Sequence, residues 1–165
     1  MIGSTDSHTS LATYEENNYF GKAARPMVRA LRYPDGADLD RVQIVKGWLD
    51  AKGKLHEQIY DVACSDDRAI TAKHRCDRPV GNTVDVENAT CTNDIGDPLL
   101  MAYWEEIRIS IRSNVLSLYI RVLEIPTPRW TTYDAAFFGV ELPKDVPASQ
   151  QERAYTSQIW YTPSS

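Results

Sequence analysis

The chain has 165 residues, 42% of them apolar and 25% charged, and its 18 basic and 23 acidic side chains leave a net charge of −5. These are ordinary globular proportions, which exclude a collagen-like fibre, a coiled coil and a wholly disordered chain; the length fits one domain, or one with a short appendage. The acidic balance supplies no field to gather phosphates, which excludes general nucleic-acid binding, and no apolar run is long enough to span a membrane.

Met1 to Asp6 has neither a basic flank nor an apolar stretch, so no signal peptide is expected. The segment up to Ala24 is small and polar, and Ser10 to Glu16 offers a capping-box-like start for one or two helical turns. From Pro26 the pattern changes. Met27–Tyr33 predicts a strand, and Pro34-Asp-Gly36 supplies turn chemistry. Arg41–Leu49 predicts a second strand, with Val42, Ile44 and Lys46 on one face and Gln43 and Val45 on the other. Asp50–Gly53 is a short hairpin loop, and Leu55–Ala63 returns as the partner strand.

Cys64 to Gly81 is polar and aperiodic and predicts an exposed loop. Thr83–Glu87 and Ala89–Thr92 predict short strands, followed by a loop at Asn93–Pro98 and a short apolar segment at Leu99–Trp104. Ile107–Arg112 alternates strictly, and Val115–Ile125, rich in branched and aromatic residues, predicts a central strand ended by Pro126-Thr-Pro128. One helical turn is expected within Trp130–Gly139, a loop over Leu142–Ala148, and a final strand over Ala154–Tyr161. The expected architecture is mainly β: an antiparallel β-sandwich of about seven or eight strands over residues 25–165, preceded by a short irregular or helical segment over 1–24.

Few residues offer chemistry. Cys64, Cys76 and Cys91 are an odd set whose spacings match no zinc signature, so unpaired thiols are expected, with a disulfide open to a chain that meets an oxidising compartment. His56 lies within a strand and reads as a sheet-face histidine with no partner given by spacing; nothing orients His74 towards Cys76. Asp6 and His8 differ. On an extended segment they point the same way, so a hard oxygen and a borderline nitrogen would meet one metal ion together. Two ligands are fewer than the three a catalytic zinc requires, and Glu15 or Glu16 would add at most one. Asn88-Ala-Thr90 fits the N-glycosylation pattern, which matters only in a secreted eukaryotic chain. Trp48, Trp104, Trp130 and Trp160 read first as packing, and Arg129 beside Trp130 as a guanidinium able to stack or to bind an anion.

Three segments carry a resemblance: Arg41–Glu57, Pro79–Asp85 and Ile120–Trp130. Together with Gln151–Pro163 they are similar to the C-terminal part of a bacterial family of unknown function, the domain of unknown function family 3604. The N-terminal Gly3-Ser-Thr-Asp6-Ser-His8-Thr-Ser-Leu-Ala-Thr13 resembles a family segment within a barrel related to the polymerase-and-histidinol-phosphatase (PHP) metal hydrolases. The resemblance implies a metal-ligand pair at Asp6 and His8, no cofactor for this chain by itself, and zinc or manganese for the full-length parent. It also points to envelope or secreted proteins. The sequence departs from the family where the barrel and its other ligands are missing and where Lys22 steps straight to Pro26. It departs again at Ala69–Arg78, and between Trp104 and Tyr119, where an acidic turn is usual; a reading-frame slip would make the Ile107–Ile111 alternation accidental.

The expectation is therefore a truncated, non-catalytic C-terminal module of a PHP-like metal hydrolase. Its partner would be the missing barrel, or a second copy through an exposed apolar face. The alternatives are a metal-dependent (phospho)ester hydrolase using Asp6 and His8, and a carbohydrate- or anion-binding sandwich using Trp48, Arg129 and Trp130.

Overall fold

A computed structural model describes residues 27–104 and 116–161. The fold grows from the expected hairpin of β2 (Leu39–Leu49) and β3 (Leu55–Cys64). Asp50 closes its turn, its carboxylate accepting the N–H groups of Lys52 and Lys54 at 2.8 and 2.9 Å. Gly53 takes φ 75°, the left-handed conformation that a side chain resists. On the other edge of β2 lies β5 (Leu116–Glu124), also antiparallel. Two short strands, β8 (Arg153–Tyr155) and β9 (Ile159–Tyr161), pair successively along the far edge of β5.

A second layer covers one face of this five-stranded sheet. β1 (Met27–Leu31) and β4 (Leu99–Tyr103) form a two-stranded antiparallel sheet and alternate strictly. Val28, Ala30 and Leu100 turn inward and pack with Leu39, Val42 and Val122, while Ile44, Trp104 and Leu118 continue the core along the same sheet face. The molecule is thus mainly β, two antiparallel layers around an apolar interior, in the class the sequence predicts. After β5, the two-residue strands β6 (Thr127–Pro128) and β7 (Ser149–Gln150) pair with each other and flank α1 (Trp130–Phe138).

Several expectations change. Cys64–Gly81 is not simply an exposed loop: Cys64 and Cys76 are joined by a disulfide, and Ser65 and Arg68 are buried. Thr83–Glu87 and Ala89–Thr92 are not strands. Asp85 caps the N–H groups of Glu87 and Asn88 and meets Thr90 in a single bridge, so local side-chain bonding wins over the ladder. The region 130–138 makes a full helix ending on Gly139 at φ 63°. The final strand is divided, because Thr156 Oγ1 accepts the Ile120 N–H at 2.9 Å and interrupts the ladder between β8 and β9. The Ile107–Arg112 alternation and the N-terminal turn lie outside the described residues.

The ladder is also bent twice beside β2. Val62 is passed over opposite Val42 and Gln43, and Asp40 is passed over between Leu39 and Arg41. Close packing continues at Gly96, φ 84°, where a Cβ would lie 2.6 Å from Ile125 Cγ2.

Candidate functional site

Asp6 and His8 lie outside the described residues. The other three candidates do not meet. Trp48 sits at the hairpin end of β2, opposite Leu116, whereas Arg129 and Trp130 begin α1 beyond the opposite end, where Leu39 pairs with Glu124. Nine residues of strand, roughly 30 Å, separate those ends. Trp48 is used locally: its ring stacks on His56 with centroids 5.3 Å apart, and Lys46 Nζ lies 5.2 Å from its centroid. His56 does have a partner, since its Nε2 is 2.9 Å from Asp50 Oδ2. That hydrogen bond, with the Lys54 N–H, holds the Asp50 carboxyl below the ordinary carboxylate range. Counting strand spacing missed this pair because Asp50 belongs to the turn. Asn88 is exposed, in the turn made by Asp85.

The expectation of unpaired thiols is corrected for two of the three cysteines. Cys64 ends β3, and the chain returns to it at Cys76, leaving Cys91 as a free thiol that burial pushes above its ordinary pKa. Among the described residues one group of metal-ligating type comes close together: Asp61, Cys64 and Cys76. It does not fit a metal ion. Both sulfurs are spent in the disulfide, and the Asp61 oxygens accept Gln43 Nε2 at 2.6 Å and the Cys76 N–H at 2.9 Å. The guanidiniums of Arg41 and Arg75 lie 4.0 and 3.7 Å from the same carboxylate, so its charge is already opposed.

Two buried polar assemblies brace this side of the sheet. Asp40, turned inward at its bulge, accepts Arg68 Nη2, Arg41 Nη1 and Gln151 Nε2, each at 2.7 Å. Arg68 in turn reaches the carbonyls of Asp40, Ser65 and Arg78. The second assembly is a chain: Asp61 receives Gln43 Nε2, and Gln43 Oε1 receives Arg121 Nε at 2.7 Å. Gln43 and Asp61 are both buried, a costly placement unless the polar atoms are satisfied. The hairpin register pairs these two residues, and that is the signal by which sequence reasoning could have found them.

The largest anomaly is apolar. The outer face of the β1–β4 sheet presents Leu31, Leu99, Met101 and Tyr103, which are 63, 37, 50 and 68% exposed, with Arg29 as the one charged residue among these outward positions. Among the described residues β1 and β4 pair only with each other. Helix α1 adds a separate exposed group, Trp130, Tyr133, Phe137 and Phe138, and buries only Thr132. No helix of the described residues is long and apolar enough to cross a membrane.

A family model described as "Protein of unknown function (DUF3604)" matches the chain in two stretches, residues 1–27 and 22–163. Comparisons with curated proteins and with solved structures gave no match.

Proposed function

The chain belongs to the DUF3604 family, and from that premise we propose that it is the C-terminal β module of a PHP-like metal-dependent hydrolase, a non-catalytic part that packs against the catalytic barrel. The observation that carries this reading is the outer face of the β1–β4 sheet. Its inward side already completes a core, yet its outward side exposes Leu31, Leu99, Met101 and Tyr103, with Arg29 the one charged residue among them. Soluble monomers rarely leave such patches uncovered. Covering the four large side chains would contribute on the order of 1.5–3 kcal/mol for each one fully buried, a force ample to seat a neighbouring domain.

Continuity favours the barrel as the occupant. The two matched stretches overlap at residues 22–27, where the chain enters β1, so the sequence that resembles the barrel adjoins the apolar sheet. Asp6 and His8 would give two of the three protein ligands a catalytic zinc needs; the remaining ligands, and with them the chemistry, belong to the barrel. Within the module, polar satisfaction at Asp61 and Asp40 is directed at bracing the sheet.

The test is the behaviour of the chain alone. Sedimentation and binding of a hydrophobic dye should show concentration-dependent self-association through the uncovered face. The double variant Leu31→Glu/Met101→Glu should be a dye-silent monomer with unchanged circular dichroism. A wild-type chain that stays monomeric and dye-silent at high concentration would contradict the reading.

A further inference from the structure

The opposite side of the five-stranded sheet carries a different surface. Along β5 and its edge partners, Arg121 stands beside Tyr155, Leu123 beside Arg153, and Ser117 beside Trp160, with Tyr119 between; Leu123, like Gln43 and Val45 of β2 on this side, is buried, so the accessible strip runs along the β8–β9 edge. Tyr155 and Trp160 are 52 and 65% exposed, and the Tyr119 and Tyr155 rings lie 6.2 Å apart. The aromatic residues therefore follow one another at two-residue steps of strand, roughly 7 Å each.

The guanidiniums are placed with care. The buried Asp61–Gln43 chain holds Arg121 by its Nε, which leaves both terminal nitrogens of that side chain as donors in a fixed plane. Among the described residues, neither Arg121 nor Arg153 has a carboxylate within ion-pair distance, whereas Arg41 is paired with Asp40 and lies, with Arg75, near Asp61. Arg121 and Arg153 are thus two guanidiniums with no opposing carboxylate among the described residues, in a chain whose net charge is −5.

We propose that this face binds an acidic polysaccharide, its carboxylate or sulfate groups taken by Arg121 and Arg153 and its sugar rings laid on Tyr155, Tyr119 and Trp160. A guanidinium fork suits a planar or tetrahedral oxyanion, and a flat aromatic row suits the C–H faces of consecutive sugars. The surface is distinct from the β1–β4 face, so this inference stands or falls independently of barrel docking.

Affinity electrophoresis of the full chain tests it, with polygalacturonate, dextran or polyglutamate cast in the gel. Polygalacturonate should retard the protein in a salt-sensitive way, and dextran should not. Arg153→Gln and Trp160→Ala, both at exposed positions that leave the fold intact, should each weaken retardation about tenfold, the scale of one charge-assisted or aromatic contact. Arg121→Lys should weaken it further by losing the fork, with circular dichroism unchanged. Absence of retardation by polygalacturonate, equal retardation by dextran, or equal retardation by polyglutamate would each overturn the proposal, the last in favour of an acidic peptide.

Discussion

Glu124 is a carboxylate placed against its own chemistry. It ends β5 in a buried position, and burial, aided by the neighbouring Glu152 carboxylate, pushes its pKa above the ordinary 4.5 of a glutamate. The native state therefore holds this proton more tightly than the unfolded chain does. Glu124 stabilises nothing by ionising: as pH rises above 4.5 through the raised native value, its contribution turns unfavourable and stability falls. Glu124→Gln should flatten that fall, so the variant gains on the wild type with rising pH when both are followed by urea denaturation; a parallel pair of pH profiles would contradict this assignment. Asp40 shows the opposite case, a fully buried carboxylate made tolerable by three donors at 2.7 Å. Its partner Arg68 had no sequence signal at all. It lies 28 residues away, in a stretch whose polarity predicts solvent exposure.

At the scale of elements, what could be read in advance followed a local rule. The β2–β3 hairpin was legible because alternation, loop chemistry and Gly53 agree. β1 was legible as a strand and β4 only as a short apolar segment, and nothing local says that they pair with each other across Leu31↔Leu99. The 64–81 segment was not legible, because its order comes from long-range bonds: the Cys64–Cys76 disulfide, the Asp61 carboxylate on the Cys76 N–H, and Arg68 beneath Asp40. Thr83–Thr92 misled in the other direction, with strand-like alternation defeated by the Asp85 turn. The disulfide closes a loop at a sequence separation of 12. Reducing it, or replacing both cysteines by serine, should lower stability by about 3 kcal/mol on the chain-entropy estimate, with lost hydrogen-exchange protection concentrated at residues 65–78. Equal stability and protection in both redox states would show that Arg68 and Asp61 hold the segment unaided.

For the molecule as a whole, the sandwich divides its surfaces by kind. The β1–β4 layer turns an apolar face outward; on the opposite side of the larger sheet, the β8–β9 edge exposes Arg153, Tyr155 and Trp160. The sequence indicated the class of fold. It did not indicate which face was left apolar, since outwardness at Leu31, Met101 and Tyr103 depends on the pairing of β1 with β4 and on the layer beneath them. Nor did it show that Trp48 and Trp130 stand at opposite ends of the sheet. The proposed docking on a catalytic barrel through the β1–β4 face is tested most directly by titrating the chain with the barrel domain of an intact family member, followed by calorimetry. Saturable one-to-one binding that is abolished by Leu31→Glu/Met101→Glu is the predicted result; no binding, or binding indifferent to those substitutions, would contradict it.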